Sequence, residues 1–298
     1  ITICPVLLFL IILQGCTSLL VDYALWRERS QTGVSEKSVQ VGDHKIAYLE
    51  GGRGDAVILL HGFGDNKDSW VRFARPLTPG YRVIIPDLAG FGDSTKRMDG
   101  RYDIAAQVKR IREFSRKLGA EKCHIAGNSM GGLISGIYAA DYPDQVLSLG
   151  LIDPGGITDR EPSGLSVLLA RGVNPLIVET PEDFDRLLAF MFVNPPAIPR
   201  AIKKYLALKA VESRDFNKKI FSLAAPAGQL EARFNNITAP TLVIWGDTDR
   251  VFPASSAKVI EAGIKDSRVV IIKDCGHLPM VEKAEESAQH YLEFISKR

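Results

Sequence analysis

The 298-residue sequence predicts an α/β fold: a mostly parallel central sheet flanked by helices, with an all-helical insertion before the last strands. Three observations carry this reading. Short, largely apolar runs such as Ala56 to Leu60 and Arg82 to Pro86 have the length and branching of strands buried on both faces. These runs alternate with stretches of helical spacing, the pattern that sets parallel strands side by side under helices. From about Gly156 to Asn236 the alternation stops, and only amphipathic helical stretches remain, punctuated by Pro175, Pro181, Pro195, Pro196 and Pro199.

The elements follow in order. Residues 5 to 13 form an apolar run too short for a standard membrane span but suited to the core of a signal peptide. The run ends in Leu13-Gln14-Gly15-Cys16, which resembles the lipobox of bacterial lipoproteins, and Thr17 resembles the signal that directs such proteins to the outer membrane. Residues 1–15 are therefore expected to be a lipoprotein-type signal peptide and 16–37 a tether, giving an exported protein lipid-anchored in a bacterial cell envelope; an uncleaved signal anchor through Leu19-Leu20-Val21 is the alternative. Val39 to Val41 and Lys45 to Leu49 read as a hairpin around Gly42-Asp43. Helical spacing over Tyr102 to Leu118 puts Ile104, Val108, Ile111 and Leu118 near one stripe. A strand at 122–126, a helix at 130–142 stopped by Pro143, and a strand at 146–152 follow. Strands at 241–245 and 269–272 and helices at 255–263 and 285–295 close the chain. The core is thus 38–155 with 237–298, and the segment 156–236 is a helical cap over the end of the sheet where open α/β folds bind ligands.

Composition excludes several functions. Net charge is +2 with no long basic run, which argues against nucleic acid as a partner. The four cysteines (Cys4, Cys16, Cys123 and Cys275) are scattered, so neither a zinc site nor a disulfide framework is expected, and no metal or other cofactor is called for. Cys123 and Cys275 read as structural thiols.

Gly127-Asn128-Ser129-Met130-Gly131-Gly132 sits between a strand and a helix. A G-x-S-x-G match alone is weak, but a strand-to-helix turn that exposes a serine needs strained backbone at the serine, with glycines two residues either side to avoid collision. Ser129 is the candidate nucleophile, with Gly127 and Gly131 supporting it. A serine hydroxyl needs a base. Of five histidines, His44, His124 and His290 fall in structural positions, whereas His277 lies in the loop between the last strand and the final helix. The orienting carboxylate should lie between Ser129 and His277 in sequence. Asp247 and Asp249 follow one late strand, and Asp153 follows an earlier one, where Pro154-Gly155-Gly156 reads more as an exit into the cap. An oxyanion needs two backbone N–H donors. Met130 supplies one; Phe63 supplies the other from His61-Gly62-Phe63-Gly64, where Gly62 permits close approach and His61 braces the loop.

Together these residues resemble the α/β-hydrolase fold, and within it the family V bacterial lipases of the Moraxella and Psychrobacter type and the membrane-bound monoacylglycerol lipases. The matching segments are His61 to Gly64 with Asn66-Lys67-Asp68, Ile85 to Leu88 with Gly90-Phe91-Gly92, Gly127 to Gly132, Trp245-Gly246 with Asp249, and Gly276-His277 with Pro279 to Glu282. The resemblance selects Asp249, at the usual G-x-x-D position, as the acid of a Ser129–His277–Asp249 triad. It implies a carboxylic ester hydrolase acting on lipid-like substrates through an acyl-enzyme. The apolar face Leu187, Leu188, Phe190, Met191, Phe192 and Val193 is expected either to shelter the acyl chain or to form the cap's own core. The same elbow serves carbon–carbon bond hydrolases of ring-cleavage products; the leader favours lipid esters, and the complete set of reactive residues argues against a non-catalytic tethered binding protein.

Overall fold

A computed structural model describes residues 5–158, 160–223 and 228–297, with side chains from Ser18 onward. Eight strands form one sheet: β1 (Val34–Val41), β2 (His44–Gly51), β3 (Ala56–Leu60), β4 (Arg82–Pro86), β5 (Cys123–Asn128), β6 (Val146–Ile152), β7 (Thr241–Gly246) and β8 (Ser267–Ile272). Their spatial order is β1-β2-β4-β3-β5-β6-β7-β8. β2 is antiparallel to both neighbours, and the strands from β4 to β8 are parallel. The helices are α1 (Pro5–Thr32), α2 (Val71–Ala74), α3 (Ile104–Lys117), α4 (Met130–Asp141), α5 (Gly164–Ala170), α6 (Pro181–Met191), α7 (Arg200–Glu212), α8 (Arg214–Ser222), α9 (Ser256–Gly263), α10 (Pro279–Glu282) and α11 (Ala284–Ile295).

The period-two alternation of a strand splits the core into two layers. Ile58, Leu60, Ile125, Leu151 and Val243 face the layer that holds Phe114 and Ile134 of α3 and α4. Val57, Leu59, Ile152, Leu242 and Ile244 face the other, with Phe73 and Tyr291 of α2 and α11. All five residues of β3 are buried, as its unbroken apolar run requires of a strand covered on both sides. Asp103 caps α3 by accepting from the Ala106 amide at 3.0 Å, so the helix begins at Ile104 rather than at Tyr102.

Every parallel strand points the same way, so the chain leaves β3, β5, β6, β7 and β8 at one edge of the sheet. Leu60, Asn128, Ile152, Gly246 and Ile272 are their last residues, and His61, Ser129, Asp153, Asp249 and His277 lie in the segments that follow. Between β6 and β7 the described residues contain helices and no strand, including α8, which the sequence pattern did not reveal.

The N-terminal region differs from the expectation of a tether. α1 runs to Thr32 and β1 begins at Val34, with Gly33 at φ 74° making the turn between them. α1 packs against α2, α7 and β1. Arg29 donates to both oxygens of Asp68, at 2.7 and 2.8 Å, and to Glu36 at 2.7 Å. The buried Thr32 hydroxyl donates to the Val71 carbonyl at 3.1 Å. The polarity of this stretch therefore makes specific contacts with the core instead of a solvated linker. The Cys4 and lipobox readings lie outside the described residues and side chains. Among the described residues no helix is long and apolar enough to cross a membrane.

Arg29→Ala removes three charge-assisted hydrogen bonds from a side chain only 16% exposed. It is expected to lower unfolding free energy by about 1–3 kcal/mol in urea titrations, whereas Arg27→Ala should change it by less than about 0.5 kcal/mol.

Candidate active site

Ser129 alone separates β5 from α4. Ser129 has φ 55° and ψ −118°, a strained backbone for a residue with a side chain, worth about 1–3 kcal/mol. The strain is held by pairing: the Ser129 amide donates to Ile152 O, and its carbonyl accepts from Leu133 and Gly155, each at 3.0 Å. A Cβ on Gly127 would lie 2.2 Å from Gly131 O, and one on Gly131 would lie 2.3 Å from Leu60 O. No other residue type fits at either position. Met130 is the first residue of α4, so its amide belongs to the first-turn donors that a helix leaves without an internal partner.

His277 and Asp249 meet in the interior. The Nδ1 of His277 lies 2.8 Å from Asp249 Oδ2, and the two side chains are 1% and 0% exposed. Asp249 Oδ1 accepts from the amides of Val251 at 2.7 Å and Phe252 at 3.2 Å, which fixes the carboxylate plane. Because an ionised Asp249 only accepts, Nδ1 carries the proton and Nε2 is left as the acceptor. Asn128, beside the serine, donates to the His277 carbonyl at 3.0 Å and joins the elbow to the histidine loop. The Phe252 ring stands edge-on to the imidazole with centroids 5.5 Å apart. Asp247 is exposed and hydrogen-bonds to Thr248 and the Cys275 amide, a turn role.

The His61–Gly64 loop lies against the elbow. A Cβ on Gly62 would come within 3.2 Å of Ser129 Cβ. His61 is fully buried; its Nδ1 lies 2.7 Å from Gly62 O, and Nε2 accepts from the Leu88 amide at 2.9 Å. An amide can only donate, so Nδ1 bears the proton, and His61 braces two loops as a fixed tautomer. The Phe63 ring packs edge-on against Phe91 and against Phe221 of α8, with centroids 5.8 and 5.6 Å apart. Behind the loop, Lys67 is buried and pairs with Asp87 at 2.9 Å and with Asp93 at 2.5 Å. Burial opposes the ammonium charge, but the two carboxylates outweigh it and hold the Lys67 pKa above its ordinary value. Asp87, itself fully buried, also accepts from the amides of Lys67 and Asp93.

The helical segment is fastened to the same loops. His277 N donates to Met191 O at 2.8 Å, and a Cβ on Gly276 would lie 2.3 Å from that carbonyl. Glu282 accepts from the amides of Gly276, Val193 and Asn194. Leu165 N donates to Arg250 O, and Arg250 donates to Ala189 O. In the expected acyl-sheltering face, Phe192 is buried, Leu187, Leu188, Phe190 and Met191 are half-buried, and Val193 is exposed.

The remaining candidates are structural. Cys123 is buried and desolvation pushes its thiol up to about 12; burial likewise raises Cys275. His124 bonds Ser148 at 2.7 Å, and His44 lies between Asp43 and Tyr102. The sequence undervalued Asp153. It is fully buried at the end of β6, and one of its carboxylate oxygens, one of Asp249's and a ring nitrogen of His277 lie within 4.8 Å of one another. That set could in principle hold a cation, but Asp249 and His277 are committed to each other. Its place after a strand made Asp153 a candidate acid in the sequence, but its closeness to Asp249 and His277 was hidden, because those residues follow β7 and β8.

A serine at a strained strand–helix turn, joined through Asn128 to the loop of a carboxylate-oriented histidine at the C-terminal edge of a mainly parallel sheet, defines a class. The family model for the alpha/beta hydrolase fold matches residues 55–176 and 177–284, and the chain belongs to that family. It is 35% identical to Lipase 1 of Psychrobacter immobilis, over 99% of this chain and 96% of the relative, and 37% identical to Lipase 3 of Moraxella sp. (strain TA144), over 90% and 86%. The crystal structure of a membrane phospholipase A, described as a bacterial virulence factor, superposes with a TM-score of 0.93 at 45% identity, covering 98% of this chain and 97% of that one. The chain is a carboxylic ester hydrolase.

Lys67→Met leaves Asp87 buried without its counter-charge. The expected loss is about 3–5 kcal/mol in urea unfolding, larger than for Asp93→Asn, whose partner retains Asp87.

Proposed function

We propose that this ester hydrolase is a membrane-tethered lipase working through Ser129, His277 and Asp249. The observation that carries the triad is the buried 2.8 Å contact between His277 and Asp249, tied to the elbow through Asn128. Ser129 Oγ attacks the ester carbonyl while His277 Nε2 takes its proton, and Asp249 stabilises the imidazolium. The amides of Phe63 and Met130 hold the developing oxyanion. His277 returns the proton to the leaving alcohol. It then activates the water that releases the fatty acid from the acyl-enzyme.

The lipid substrate is supported by relatives named lipases and by a structural neighbour named a membrane phospholipase A. Residues 156–236 are read as the cap over the acyl site, joined to the triad loops through Met191 and Glu282. Tethering is supported by the leader sequence and by α1. Leu19, Leu20, Tyr23 and Trp26 are 59–68% exposed there, and the Tyr23 and Trp26 rings stack 5.9 Å apart. Exposed tyrosine and tryptophan just beyond an apolar run suit the headgroup layer of a bilayer. Export to the bacterial envelope through a lipidated Cys16 is the corresponding reading of the leader.

Ser129→Ala is the test. Turnover of p-nitrophenyl esters should fall by at least about 10³-fold, and a fluorophosphonate probe should label only the parent protein. Undiminished turnover by the pure variant overturns the assignment. Hydrolysis should also rise with acyl length and increase above the substrate's solubility limit; a strict preference for short soluble esters would remove the lipase reading.

A further inference from the structure

Asp153 is a carboxylic acid that the mechanism above does not use, and its surroundings are unusual. It holds φ 42°, a conformation that side-chain-bearing residues rarely adopt, and its own amide is secured to Ile244 O at 3.0 Å. One oxygen, Oδ1, accepts from the Gly246 amide at 3.0 Å. The other, Oδ2, is buried with no donor to satisfy it. An ionised carboxylate there would have a bare charged oxygen beside the Asp249 carboxylate in a site closed to water. Like charges at this range favour one proton between them.

Asp249 has the complementary vacancy. A carboxylate offers about four acceptor positions. Val251 N, Phe252 N and His277 Nδ1 occupy three of them. The titratable groups facing Asp153 are Asp249 from the loop after β7 and His277 and Cys275 from the loop after β8; the elbow brings no charge. None of these supplies a cation unless His277 is protonated.

We infer that Asp153 is a positioning residue of the triad, held neutral and donating its Oδ2 proton to Asp249. The pair then carries a single negative charge, placed on the carboxylate that faces the imidazole. The donated hydrogen bond gives Asp249 a further partner beside its contact with His277 and moderates its basicity, so that His277 is not drawn into a permanent ion pair and is free to accept the serine proton. Burial first, and the Asp249 charge second, raise the Asp153 acid well above its ordinary range.

This inference rests on Asp249 and His277 acting as proposed, and its test includes a readout independent of catalysis. A group neutral when folded and ionised when unfolded destabilises the fold progressively as pH rises above its unfolded pKa of about 3.9. Asp153→Asn keeps the shape and an N–H donor but cannot ionise. Between pH 4 and 7 its stability relative to the parent should therefore rise, with the ratio of unfolding constants changing about tenfold per pH unit until the folded pKa is reached. A ratio independent of pH means Asp153 is ionised in the folded protein and overturns the inference, whatever the enzyme's activity.

The kinetic arm uses Asp153→Leu, which removes the donor. Its kcat should drop about tenfold with KM little changed, the worth of one charge-assisted hydrogen bond, and the acid limb of its kcat/KM profile should move to higher pH. Asp153→Asn should recover most of that loss and keep the acid limb near the parental position. An acid limb about one unit lower in Asp153→Asn would reveal a removed negative charge and refute the neutral acid. If fluorophosphonate fails to label the parent, the triad reading fails while the unfolding result still decides the protonation of Asp153. Should Asp153→Leu not fold, the Asp153→Asn measurements stand alone.

Discussion

Two missing side chains set the geometry of the strand–helix turn at Ser129. Gly127 and Gly131 allow the first turn of α4 to press against the ends of β3 and β5, where any Cβ would overlap a backbone carbonyl. That approach forces Ser129 into its strained conformation and puts the start of a helix, with its unpaired amides, next to the serine. The strain persists because the hydrogen bonds to Ile152, Leu133 and Gly155 leave the residue no relaxed alternative. The other site loops then fit around a point that is already fixed.

The loops are fixed by buried polar groups more than by apolar packing. His61 as one tautomer joins the 61–64 loop to the segment after β4, and Lys67 with Asp87 locks both from behind. Buried charges of this kind cost desolvation, and replacing a whole pair by apolar residues often costs little stability. Their value here is positional. Arg29 extends the network to α1 through Asp68, the residue after Lys67, so the N-terminal helix and the 61–64 loop share one electrostatic frame.

Much of this was legible in the sequence, for identifiable reasons. Strands buried on both faces read as apolar runs, and β6 was read to the residue. The elbow, the His277 loop and the pair of acids near 247–249 are local patterns. What escaped depends on contacts between distant segments. Arg29 and Asp68 are 39 residues apart, so a polar stretch reads as linker until the partner is seen. Helix α8 follows α7 with only Ser213 between them, and mixed charges such as Arg214, Asp215, Lys218 and Lys219 obscure its apolar side. Asp153 looked like an exit from the sheet because its meaning comes from Gly246, Asp249 and His277, which arrive from other strands.

The carbonyl of Met191 accepts from the His277 amide and presses on Gly276. The helical segment is therefore not an interchangeable module set on a finished sheet and its loops. Its last turn serves as part of the scaffold that shapes the histidine loop. A helical segment transplanted here from another hydrolase would have to end α6 with a backbone oxygen at this same point. Grafting boundaries chosen from strand ends alone would carry away, with the helices, one of the contacts that hold the His277 loop in place.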